Sequence, residues 1–278
     1  MRNWLMGAWA TLRFELNRSF TLQRISVSLV LALFPPLMVS LIFGGTRLAE
    51  NVVRDEEVIE GISSIQAHTP FAIIFLVSLV CLLSLLLWAT PNVYSELEGK
   101  SWGFISSRPG GRMSVFLGKF LSAVMVSFVI SMIAMSLSTL VTHRMNLLED
   151  ARQLWISLMG IYLLACAAYG AVFSMLGTIF FKRAMVVAAG YLIASEVFLA
   201  SVPAVIGKFT IRFHLQELGL RWIGFFLPVD SEHEYRLMFG AALPIWVHFL
   251  ALGIGIGLCL LIGAIVITNR QYITSDET

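Results

Sequence analysis

The chain has 278 residues, 58% of them hydrophobic and 13% charged, with a formal charge of +2 and a mean hydropathy of +0.84. Soluble domains carry about 25% charged residues, so this composition excludes an ordinary water-soluble domain and points to an integral membrane protein. The small positive charge does not indicate nucleic acid, because the basic residues are spread along the polar stretches and form no cluster interleaved with exposed aromatics.

Residues 1–24 hold no continuous apolar stretch of the kind a cleavable signal needs, and the segment is expected to be retained. At 100° per residue, Trp4, Leu5, Ala8, Trp9, Leu12, Leu16 and Phe20 share one half of a helical wheel. Arg13, Asn17 and Arg18 lie on the other half, with Phe14 and Glu15 as exceptions. Trp and Arg together predict an amphipathic helix lying in the membrane interface; docking on protein is the alternative.

About 20 apolar residues cross a bilayer as a helix, and six stretches meet or approach that length: 25–43, 71–89, 115–141, 154–181, 184–207 and 241–268. The expected fold class is therefore an all-α polytopic membrane protein, a single domain of six transmembrane helices. Pro35 and Pro36 remove backbone donors from the first span and predict a bend there. Cys81, Cys166 and Cys259 all fall inside apolar spans, far apart in sequence, and read as small packing residues without a disulfide framework or a zinc site.

Between the second and third spans lies a charged elbow, Tyr94 to Lys119. Glu96, Glu98, Lys100, Arg108, Arg112 and Lys119 put both signs of charge between the uncharged stretches 71–89 and 120–141. Further on, the fourth span carries a small-residue face in Cys166, Ala167, Gly170, Ala171, Ser174 and Gly177. The sixth carries Gly253 and Gly257, a spacing that lets another helix approach closely. Glu196 is the one carboxyl near the middle of a span. Its ionised form is costly against lipid, so it is expected to face the bundle interior, either as part of a translocation route or as a structural hydrogen-bond partner. The segment from Gly207 to Ala241 alternates aromatic and charged residues, which predicts short helices dipping into the outer interface before the sixth span.

Assigning the 19 Lys and Arg residues to alternate sides of six spans places eleven on the side of the elbow and both termini, and eight on the other. The positive-inside rule then makes the elbow and both termini cytoplasmic, and the expected location is the plasma membrane (the inner membrane of a cell with two), multi-pass.

The sequence offers no chemistry of its own. Gly99-Lys100-Ser101-Trp102-Gly103 satisfies the G-x-S-x-G nucleophile pattern, but that pattern needs a strand-to-helix turn and a reachable His, and here a membrane helix precedes it. His233-Glu234 begins like a zinc-protease motif, yet position 237 is Leu. Gly253-Ile254-Gly255-Ile256-Gly257 has no strand before it, and Gly118-Lys119 lacks the flanking residues of a phosphate-cradling loop. No catalytic residue, metal ligand or cofactor-binding residue is assigned.

Three features of the elbow resemble type-2 permeases of the ATP-binding-cassette (ABC) exporters. They are the acidic run Glu96-x-Glu98-x-Lys100, the turn Arg108-Pro109-x-x-Arg112 and the Gly118-Lys119 start of the third span. The family's commoner Gly-Thr after the acidic run stands here as Lys100-Ser101. The resemblance implies a transport subunit, not an enzyme in itself, that binds no ATP and takes its energy from a separate ABC ATPase subunit. It implies that residues around Glu96 to Ser107 form a short coupling helix docked into that ATPase. Glu96, Glu98, Arg108 and Arg112 would make charged contacts there, and Leu97, Phe104 and Ile105 would supply an apolar face. It also implies pairing with a second permease copy or paralogue in the lipid bilayer. Two other classes fit the residues: an ion-coupled secondary transporter using Glu196, and a non-transporting membrane anchor for an ATPase. The cargo is not encoded in any feature of the sequence.

Overall fold

A computed structural model describes residues 2–52, 69–145, 151–199, 208–223 and 244–272, and every regular element among them is helical. The helices are α1 (Arg2–Ser19), α2 (Leu22–Val52), α3 (Thr69–Ala89), α4 (Tyr94–Glu98), α5 (Trp102–Ser107), α6 (Gly111–Arg144), α7 (Ala151–Ile179), α8 (Ala184–Leu192), α9 (Ile211–Ile223) and α10 (Ile245–Asn269). Five of them, α2, α3, α6, α7 and α10, contain stretches long and apolar enough to cross a membrane, and the chain is a multi-pass membrane protein. Helix is the form such stretches must take, because a helix satisfies its backbone N–H and C=O groups internally where lipid offers no partner.

These five helices coincide with the first, second, third, fourth and sixth of the expected spans. The fifth is different. Its apolar helix α8 passes at Ile193 into a π-helical stretch, Ile193–Leu199, and residues 200–207 lie outside the described residues. In α2 the helix continues through Pro35 and Pro36. The expected outer segment is represented by α9, which packs against α7 and α10. There His214 Nδ1 lies 2.9 Å from His248 Nδ1. Residues 224–243, with His233 and Glu234, lie outside the described residues.

Of the five long apolar helices, α6 and α7 are the most enclosed and α2 and α10 the least. α6 packs against α1, α2, α3 and α7, and it meets them with small side chains: Ser122, Ser127, Ser131 and Ser138 are buried. Ser131 returns its hydroxyl to Ser127 O at 2.9 Å and Ser138 to Ala134 O at 2.8 Å, so close packing leaves these two hydroxyls satisfied. Val39, Val77, Leu85, Met135, Leu158 and Phe173 belong to the main apolar core between these helices. A second, smaller core of Val93, Leu97, Trp102, Phe116, Ala264, Ile267 and Tyr272 sits at the elbow end of the bundle.

Helix α1 is docked on protein along one side. Ala8, Leu12 and Glu15 are buried against α6, while Trp9, Phe14 and Phe20 are exposed. The approach is close because position 118 is glycine: a Cβ there would stand 2.6 Å from Thr11 Cβ and 2.7 Å from Ala8 O. The wheel placed Glu15 as an exception on its polar–apolar division; the fold turns it inward for a reason that lies on α6.

Candidate functional site

The elbow does not form one helix over Glu96 to Ser107 but two short ones, α4 and α5, broken at Gly99 and Lys100. Lys100 has φ +54°, the only positive φ of a non-glycine residue among those described. A side chain in this left-handed region clashes with its own backbone, and no helix can continue through it. The turn is closed instead by Ser101, whose N–H donates to Glu96 O at 3.0 Å and whose hydroxyl donates to the Glu96 carboxylate. Ser101 is thus a structural residue of the turn, which accounts for the hydroxyl of the formal nucleophile motif.

At the base of the elbow stands Lys119, buried on α6. Its ammonium lies 2.5 Å from Glu96 Oε1 and 3.5 Å from Glu15 Oε1, and it donates to Ser95 Oγ at 2.6 Å and to Asn92 O at 3.1 Å. Glu15 is in turn 3.7 Å from both Arg18 and Arg24. Asn92 extends the network to α7 by donating to Ser174 Oγ at 3.1 Å. One cation therefore ties together α1, the turn after α3, α4 and α6. An ammonium taken out of water costs several kcal/mol unless it is fully paired, so its two carboxylates and two oxygen acceptors are what allow it to be there.

The far side of the elbow is fastened by aromatic rings. Trp102 is buried edge-on against Tyr272, 5.2 Å between centroids, and the Arg112 guanidinium lies 5.9 Å from the Trp102 ring. Arg112 donates to Thr268 O at 2.9 Å and Arg270 O at 3.3 Å, capping the last turn of α10. Arg270 stacks on Phe181 and Tyr272, and Tyr272 donates its hydroxyl to Thr178 O at 3.0 Å. Burial raises the Tyr272 phenol above its ordinary pKa, against the opposing pull of Arg270 and Arg112, and so keeps the proton that this hydrogen bond uses.

The seven expected elbow residues therefore divide. Glu96 and Leu97 point into the protein, and Arg112 is held by the end of α10. Ile105 is half-buried beside the smaller core. Glu98, Phe104 and Arg108 face out, with Phe104 78% exposed. The sequence marks Lys119 as one of the elbow charges but not as its buried anchor; it gives no role here to Asn92, Ser95, Trp102 or Tyr272, and marks Glu15 only as a carboxylate out of place on its wheel. Glu196 lies on the π-helical stretch, and its side chain is outside the described residues. Among the described residues no group of three His, Cys, Asp or Glu side chains could hold a metal ion. The sequence matches no known protein family and no characterised protein.

Proposed function

We propose that this protein is the membrane-spanning permease subunit of an ABC exporter, moving its cargo with ATP hydrolysed by a separate ATPase subunit. The observation that carries this reading is the division of the elbow: Glu96, Leu97 and Trp102 anchor it in the bundle, while Glu98, Phe104 and Arg108 stand exposed. A lever needs both properties. An element fixed rigidly to several helices converts a push on its free face into movement of those helices, and Lys119 and Asn92 supply fixings to α6, α1 and α7.

On this reading the ATPase docks on Glu98, Phe104 and Arg108, and ATP binds that partner. The elbow and both termini are cytoplasmic at the plasma membrane, the helix beginning with α8 is the fifth of six spans, and Trp9, Phe14 and Phe20 of α1 enter the inner leaflet. A second permease copy or a paralogue pairs with this one. Gly253 and Gly257 of α10 support such a face, since a Cβ at either would meet no atom beyond its own stretch of helix within 4 Å among the described residues.

Glu196 is assigned to the translocation route. A transport defect in a well-folded Glu196→Gln variant supports that role. A healthy Gln variant beside an unstable Glu196→Leu variant assigns it to a structural hydrogen bond instead.

The deciding experiment is purification of the tagged full-length protein from its native membrane, followed by reconstitution of what comes with it into vesicles. Recovery of an ATP-hydrolysing subunit together with ATP-dependent flux is the expected result. Flux driven by an ion gradient without any ATPase identifies a secondary transporter, and a bound ATPase without flux identifies an anchor; either sinks the proposal.

A further inference from the structure

Helix α3 and the turn that follows it are joined to α7 by polar contacts at three levels. Tyr162 donates to Ile74 O at 3.0 Å, Asn92 donates to Ser174 Oγ at 3.1 Å, and between these levels Cys81 Sγ lies 3.3 Å from Cys166 Sγ. Both cysteines are buried, at 1% and 0% exposure, within the main apolar core. They stand 85 residues apart in sequence, so only the packing of α3 on α7 brings the sulfurs together. Moving from this contact to a covalent bond requires the sulfurs to close by roughly 1 Å, a displacement within reach of side-chain rotation.

We infer that Cys81 and Cys166 are a dithiol modification site, which a membrane-permeable two-electron oxidant converts into a disulfide cross-linking α3 to α7 inside the apolar core. Burial in the core selects the reagent. A charged or bulky oxidant is excluded, whereas a small neutral one reaches the pair through lipid.

With an azodicarboxamide such as diamide the step balances. One sulfur adds to the N=N bond and forms a sulfenylhydrazine; the second sulfur attacks the first and displaces the nitrogen. The products are one disulfide and one hydrazine dicarboxamide that carries away both thiol hydrogens. An organic hydroperoxide reaches the same disulfide through a sulfenic acid, releasing an alcohol and water.

Cys259, the third cysteine, lies half-buried on α10 and serves as the internal control. The cross-link would also fasten the helix that leads into the elbow, a consequence that rests on the proposed coupling role. The cross-link itself is independent of that role, and its chemical readout fails or succeeds separately from any transport assay.

The test uses the purified full-length protein in lipid nanodiscs. It is treated with diamide, denatured, alkylated with N-ethylmaleimide, and weighed by intact-mass spectrometry, with peptide mapping to locate the bond. All three cysteines take the alkyl group before oxidation. After oxidation a single alkyl group remains, on Cys259, and dithiothreitol restores the others. Cys81→Ala and Cys166→Ala should each retain both remaining thiols through oxidation, while Cys259→Ala should lose both of its own. Cys81→Ser and Cys166→Ser give the same comparison where an Ala variant folds poorly. Three alkylated cysteines in the oxidised wild type, oxygen adducts in place of a disulfide, a bond involving Cys259, or a cross-link between two chains would each overturn the inference.

Discussion

Lys119 Nζ and Glu96 Oε1 lie 2.5 Å apart, with the two side chains only 6% and 12% exposed, and this buried pair joins the elbow to the longest helix among those described. Its position explains why a lysine can start a membrane span. The ammonium on α6 is held where α1, the turn after α3 and α4 converge, and Glu15, Asn92, Ser95 and Glu96 each offer it an oxygen.

Removing one member of the pair should therefore cost more than removing both. Lys119→Met leaves Glu96 and Glu15 buried without their shared cation and is expected to destabilise by about 3 kcal/mol. Glu96→Gln alone should cost less, since Glu15 stays near Lys119, and the double variant should recover part of the loss. Chemical or thermal unfolding of the purified variants in one detergent measures this; additive losses would show that the two residues do not act together.

Gly118 sets the distance between α1 and α6. Gly118→Ala places a methyl group 2.6 Å from Thr11 Cβ and 2.7 Å from a backbone oxygen, and backbone cannot rotate away. The helices must separate, at a cost of about 1–3 kcal/mol. Protease sensitivity within residues 2–21 should rise in the variant. An unchanged cleavage pattern and melting temperature would contradict the close packing of α1.

Lys100→Gly should stabilise the protein. The left-handed φ of +54° costs a non-glycine residue about 1–2 kcal/mol, and the greater freedom of glycine in the unfolded chain returns part of that. A net gain of about 0.5–1 kcal/mol is expected, and Lys100→Val should lose stability for the same reason. A destabilised Gly variant would mean that the Lys100 side chain makes a compensating contact.

Glu98→Lys, Phe104→Ser and Arg108→Glu should leave folding intact, because all three side chains face away from the bundle. If a partner ATPase docks here, each change should lower its co-purification at least tenfold, since close charge pairs and buried aromatic anchors at interfaces are each worth a few kcal/mol. Normal recovery of the ATPase with all three variants would remove the docking assignment. Lys182→Gln, a change on the same end of the bundle, is the control and should bind normally.

The class of molecule and the placing of five helices long and apolar enough to cross a membrane are legible in the sequence. Both follow from one-dimensional quantities: the length of an apolar run compared with bilayer thickness, and the need of a backbone in lipid to bond within itself. The sequence also marked the elbow, since charge between two uncharged stretches is visible without folding. Tertiary structure alone decided which elbow residues are anchors and which are free. Glu96 and Glu98 carry the same charge, yet one meets Lys119 and the other faces out, because residues two apart on the helix α4 point about 200° apart and Ser101 closes the turn on Glu96. The same holds for Glu15 with Lys119 and for Cys81 with Cys166. Their partners lie on other helices, and which faces of two helices meet is settled by side-chain packing, such as the space opened at Gly118, that no local pattern contains.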